Sequence, residues 1–158
     1  MEKTFVIDSI LSICKSIGFP FTTKVKTDKW KADVVVDCAT YKIAFNVCNL
    51  PRNVEDVYLA MHQERVCGCW MLLPSFRKIV LSKLPCFYIQ DIRGEVNVLL
   101  HKIREEEHSL PLDDFIHSMI LGNIRYTETM KVKYVEVCFI RRYVGSAMKR
   151  IIYTLLIS

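Results

Sequence analysis

The chain has 158 residues, 51% of them hydrophobic and 25% charged, with a net charge of +5. That length fits one domain, or one domain with a small appendage, and supplies enough apolar residues for a sizeable core. No window reaches the ~18 uncharged apolar residues of a membrane span. Glu2 and Asp8, with no small-residue cleavage pattern nearby, argue against a signal peptide.

The excess charge is not spread evenly. Arg125–Ser158 holds seven basic and two acidic residues, while residues 1–124 hold fifteen of each. An anionic partner near the C-terminal segment is therefore expected. The seven cysteines, at 14, 38, 48, 67, 69, 86 and 138, show no zinc-ribbon spacing. They read as reduced, mostly buried thiols of a cytoplasmic protein.

In chain order, Phe5–Ile17 has apolar residues at helical spacing, with Gly18 as the stop and Pro20 following. "FPFTTKVKT" reads as a strand, with Phe19, Phe21, Thr23 and Val25 on one face and Lys24 and Lys26 on the other. "TDKWK" is a turn, "ADVVVD" a strand, "CATY" a turn and "KIAFNVC" a strand, which together make an antiparallel meander. A helix then begins near Pro51 with Asn53 as cap and Asp56 three residues on; Gly68 is its expected end. "CWMLLP" is a short, wholly apolar run suited to a buried strand, with Trp70 in the core. Strand, helix and strand form a crossover unit, so "CWMLLP" is expected to lie parallel to "KIAFNVC".

Beyond Pro74, short strands are expected around Pro85 and Gly94, and "REEEH" at 104–108 as a charged, solvated break. "LPLDDFIHSMILGNIRY" is a helix with Leu112, Phe115, Ile116, Met119 and Ile120 on one face and Gly122 as its end. "KVKYVEVCFI" alternates like a strand. "SAMKRIIYTLLIS" is basic and apolar and has no assigned structure. Exposed strand edges and this tail suit a homo-oligomer.

The hairpin "KADVVVDCATYKIAFNVC" carries polar groups inside apolar runs. A turn centred between Ala39 and Thr40 puts Asp33 opposite Asn46. Asp37 and Cys48 then share their face, while Val34, Val36, Phe45 and Val47 pack on the other. Two carboxylates on such a face, Asp33 and Asp37, would make at most a weak site for Mg²⁺ or Mn²⁺, because an amide adds no charge and a thiol has little affinity for a hard cation.

On "ADVVVD", "YKIAFNVC", "LPRNVEDVYLAM" and "VCGCWMLLP", the span from about Phe19 to Leu73 resembles the nuclease-like domain of the competence protein CoiA family, a branch of the PD-(D/E)xK nucleases. The resemblance implies an α/β fold with a mixed, restriction-endonuclease-like sheet flanked by helices. Residues 1–74 would form the nuclease-like core and 75–158 its continuation in the same domain. It implies a metal-dependent site at Asp33, Asn46 and Cys48. Asp33 matches the family's metal-binding Asp, but Asn46 stands in place of its Glu and Cys48 in place of its Gln or Lys. Both changes remove the chemistry that such a site needs.

The expected function is therefore a nuclease-like module that binds DNA, single-stranded or at a junction, without efficient cleavage and with no required cofactor. Lys24, Lys26, Lys29 and Lys31 form a basic ribbon beside the hairpin, and Arg52, His62, Arg141 and Arg142 are further candidate phosphate contacts. Two alternatives stay open. One is an active Mg²⁺ or Mn²⁺ endonuclease with a migrated ligand. The other is a protein-binding adaptor or inhibitor of the kind mobile elements carry.

Overall fold

The structure, a computed structural model, describes residues 2–73, 85–103, 106–128, 133–140 and 150–157. Helix α1 (Lys3–Ile17) buries Val6, Ile10, Ile13 and Cys14 along one stripe. Gly18 ends it at φ 75, and its N–H returns to the carbonyls of Cys14 and Lys15. Only glycine takes that left-handed position at little cost.

Strands β1 (Phe21–Lys26), β2 (Lys31–Asp37) and β3 (Lys42–Val47) form the expected antiparallel meander. The Thr27 hydroxyl ties the first turn: it accepts from the Lys29 and Trp30 N–H groups and donates to the Trp30 carbonyl. In the second hairpin Val34 stands opposite Phe45 and Asp37 opposite Lys42, the expected register. Hydrophobic parity pins it, since a one-residue slip would turn every buried side chain outward.

Helix α2 (Val54–Gln63) buries Val54, Val57 and Met61 and leads into β4 (Val66–Leu72). β4 lies parallel to β3, with Phe45 beside Cys69 and Asn46 beside Trp70, as expected. The expected end of α2 at Gly68 is corrected. The helix stops at Gln63, and Arg65 turns the chain at φ 58. Gly68 lies inside β4, where a Cβ would come within 2.6 Å of the Trp70 ring and 3.0 Å of the Met61 sulfur. The glycine makes room for an indole rather than ending a helix.

β5 (Cys86–Ile92) runs parallel to β4, and β6 (Glu95–Ile103) and β7 (Glu106–Pro111) follow antiparallel. Arg93 and Gly94 both have positive φ, which a two-residue hairpin loop requires to match strand twist. The charged break expected at 104–108 is also corrected, because residues from Glu106 onward pair with β6. β7 is an outer strand, and charge on an outer strand discourages pairing with other chains. α3 (Leu112–Ile120) buries its five expected apolar residues. β8 (Ile124–Glu128), β9 (Lys133–Ile140) and β10 (Arg150–Ile157) form a separate three-stranded sheet, so the unassigned tail supplies a strand.

The larger sheet has seven strands in sequential order and runs across residue 74. α1 and α3 pack over one face around Phe45, Met71, Phe87 and Ile89. α2 covers the other around Trp30, Val35, Ala44 and Trp70. The fold is thus α/β with a mixed sheet between helical layers. Among the described residues no helix is long and apolar enough to cross a membrane.

Gly68→Ala should destabilise the protein by about 1–3 kcal/mol, because Trp70 is 1% exposed and has nowhere to retreat. Urea denaturation followed by tryptophan fluorescence measures this; an unchanged midpoint would mean that the ring does not need the space.

Candidate functional site

The expected one-faced cluster of Asp33, Asp37, Asn46 and Cys48 does not form. Strand alternation slips at its centre. In β1, Phe21 packs with the α1/α3 core but Val25 with the α2 core, and Lys24 between them has φ 52. Lys24 therefore ends the single-face alternation expected for β1. β2 slips at the matching place: Ala32 packs on the α2 side, while Val34 and Val36 pack on the other.

Asp33 sits at that slip. The ladder between β2 and β3 covers 34–37 with 42–45 and goes no further. Beyond it, the Asp33 carboxylate takes over as acceptor. Its Oδ2 receives the Val47 N–H at 2.8 Å, and its Oδ1 meets the Lys3 Nζ of α1 at 2.7 Å. Cys48 packs on this same α1 side. Burial raises its thiol above the ordinary value, and the Lys3 ammonium offsets only part of that. The residue standing where the resemblance expects Gln or Lys is thus a neutral thiol at neutral pH.

Asn46 lies on the opposite layer, 3% exposed, beside Trp70. Asp37 lies four residues from Asp33, a separation of about 13 Å along a strand, and its Oδ1 receives the Ala39 N–H in the turn. Asp33 and Asp37 therefore cannot share an ion. Among the described residues no group of three or more His, Cys, Asp or Glu gathers to hold a metal. The residues present do not fit the Mg²⁺ or Mn²⁺ site that the resemblance implies: both Asp33 oxygens are engaged, and its supposed co-ligand faces another layer.

Asn46 instead floors a cleft of about 240 Å³ between the β1–β2 turn and the start of α2. Trp30, Trp70, Val57 and Pro51 form apolar walls, and Asn49 and Asn53 stand at its sides. Lys26, Lys29 and Lys31 line it, with Asp28 as the one acid. Trp30 is held in place by its ring N–H, which donates to Glu64 Oε2 at 2.9 Å. Asn53 gives α2 no side-chain cap, contrary to expectation. The Asn46 Nδ2 is buried and has no hydrogen-bond partner. An amide left so typically costs about 1–3 kcal/mol.

Three of the four ribbon lysines thus meet at one place, and Lys24 stands outside the lining. Arg52 is exposed, between two lining residues but not among them. His62 does not join them. It lines a different cavity of about 390 Å³ with Tyr58, Cys67 and Met119, and its ring lies 6.3 Å from that of Tyr58. Arg141 and Arg142 lie outside the described residues. Trp30, Asn49 and Asn53 escaped sequence reading; the only available signal was a tryptophan inside an otherwise polar turn.

Compared with known proteins, the chain matches no family model, no curated protein and no solved structure.

Asp33→Ala should cost about 1–3 kcal/mol in urea denaturation, since the Val47 N–H loses its acceptor. Equal stability of variant and parent would show that this contact is dispensable. A second expectation concerns pH. Burial pushes the Cys14 thiol up to about 11 and the Cys86 thiol to about 12, from an ordinary value of 9.0. The unfolded chain then loses these protons first, so stability is complete below pH 9 and falls as pH rises from 9 towards 12. Midpoints that stay level up to pH 11 would contradict this burial.

Proposed function

We propose that the chain is a nuclease-like module that binds nucleic acid at the lysine-lined cleft and does not cleave it efficiently. The observation that carries this reading is the convergence of Lys26, Lys29 and Lys31 around a cleft with an unpaired amide at its floor. Lysines arranged so attract phosphates by charge and counterion release, whatever the sequence bound. Apolar, partly aromatic walls beside them suit bases rather than phosphate alone.

The element order α1-β1-β2-β3-α2-β4, a meander followed by a parallel crossover, supports the restriction-endonuclease-like architecture that the motif resemblance implies. Within that architecture Asp33 keeps its place but serves another purpose. Lys3 supplies the positive charge that a divalent ion would otherwise bring, and the other oxygen completes the β2–β3 edge. Binding without efficient hydrolysis is the expectation, because among the described residues no second carboxylate joins Asp33 to hold the ion that would activate water. Cys14, Cys38, Cys48, Cys67, Cys69 and Cys86 are free thiols, which suits the reducing cytoplasm.

Fluorescence anisotropy with a labelled single strand, from 50 to 200 mM salt, tests the reading. The parent should bind with a salt dependence that the Lys26→Ala, Lys29→Ala, Lys31→Ala triple variant reduces by about 2 in log–log slope, or ~0.7 per lost phosphate contact. All three side chains are exposed, so the variant should fold. Absence of binding at 50 mM salt would overturn the proposal. Mn²⁺-dependent plasmid nicking that disappears in Asp33→Ala would establish the active-nuclease alternative instead.

A further inference from the structure

Resting on that reading, we propose a more specific occupant: the cleft takes one unpaired base of a single strand, with a base acceptor meeting Asn46 Nδ2. Three independent features converge on this. The first is size. At about 240 Å³ the cleft falls below the ~300–1,000 Å³ of pockets for drug-sized ligands, so it takes a single ring system rather than a whole nucleotide.

The second is the chemistry of the floor. Asn46 is 97% buried by its 3% exposure, and its Nδ2 has no partner. The terminal torsion of an asparagine is broad, so a small rotation brings the donor up to the cleft at little cost. Ring nitrogens and exocyclic carbonyls of bases are the acceptors that an amide N–H reads. Phosphate would also accept, but it would have to lie between Trp30 and Trp70, giving up its water to apolar walls.

The third is the arrangement of charge. The lysines belong to the β1–β2 turn and its flanking strand ends, on one side of the cleft, while the floor belongs to β3. Backbone phosphates can therefore lie along the turn while one base points inward. A base inside a duplex cannot do this without leaving its stack, and its pairing edge is already engaged. The site should thus favour single strands, and its selectivity should come from the base rather than from charge.

Three labelled probes of equal length test this by anisotropy: oligothymidylate, the same strand with all bases replaced by abasic sites, and a duplex. Oligouridylate as a fourth separates RNA from DNA as the source of the base. The base-bearing single strand should bind about tenfold more tightly than the abasic one, the scale of one base packed against aromatic walls. It should also quench tryptophan fluorescence, and the abasic strand should not. Asn46→Ala should cut the preference about threefold, the scale of one hydrogen bond, while leaving the packing of the base and the salt-dependent binding on the lysines. If that variant fails to fold, the comparison of probes on the parent protein decides alone. Equal affinity for base-bearing and abasic strands, or tighter binding of the duplex, overturns the base site and leaves the nucleic-acid reading standing. Failure to bind any probe overturns that reading itself.

Discussion

The Asp33 carboxylate holds together the part of this protein on which everything else turns. It replaces a backbone carbonyl at the point where the β2–β3 ladder stops, and it anchors the first turn of α1 through Lys3. A carboxylate used in this way does two structural jobs with its two oxygens. The Lys3 ammonium already neutralises it, so a divalent ion there would meet a second positive charge beside it. The same slip in strand alternation that frees Asp33 from its expected face leaves Asn46 facing the other layer. Asp33 and Asn46 are thereby parted: one ties β2 and β3 to α1, and the other lines the cleft.

The cleft itself depends on a second constraint, the packing of Trp70. Its indole lies over Gly68 and beside Tyr58, with ring centroids 6.3 Å apart. Trp30 closes the other wall and is tied to the end of α2 through Glu64. Two large rings placed by hydrogen bonding and close packing make a stiff frame. The asparagine within it is buried among its neighbours rather than free at the surface. Preorganisation lowers the ordering cost of binding, which is how a small cleft achieves selectivity without much contact area.

Much of the architecture was readable from residue order. The α1 stripe with Gly18, the hairpin register, the parallel β3–β4 crossover and the buried face of α3 all follow from hydrophobic periodicity and turn residues, which act over a few positions. The departures share a different origin. Gly68 looked like a helix stop because a glycine after a helical run usually is one; here a ring two residues away demands it. Glu106–His108 looked like a solvated break, yet their backbone pairs with β6 in the outer strand of the sheet, a long-range contact that local charge does not reveal. The tail had no turn partner within reach of local rules, and only long-range pairing with β9 makes it a strand.

The candidate site divides in the same way. Sequence alone determined the hairpin register that pairs Val34 with Phe45, and that lysines flank the first turn. Those facts need only strand periodicity and residue identity. Tertiary structure decided which way the side chains face. A positive φ at Lys24, a residue with no glycine-like signature, shifts the alternation by one, and the packing of α1 and α2 on opposite faces then assigns Asp33 to one layer and Asn46 to the other. Period-2 patterning does not announce its own interruption, because the contact that accompanies it, the Lys3–Asp33 ion pair, joins residues 30 apart in sequence.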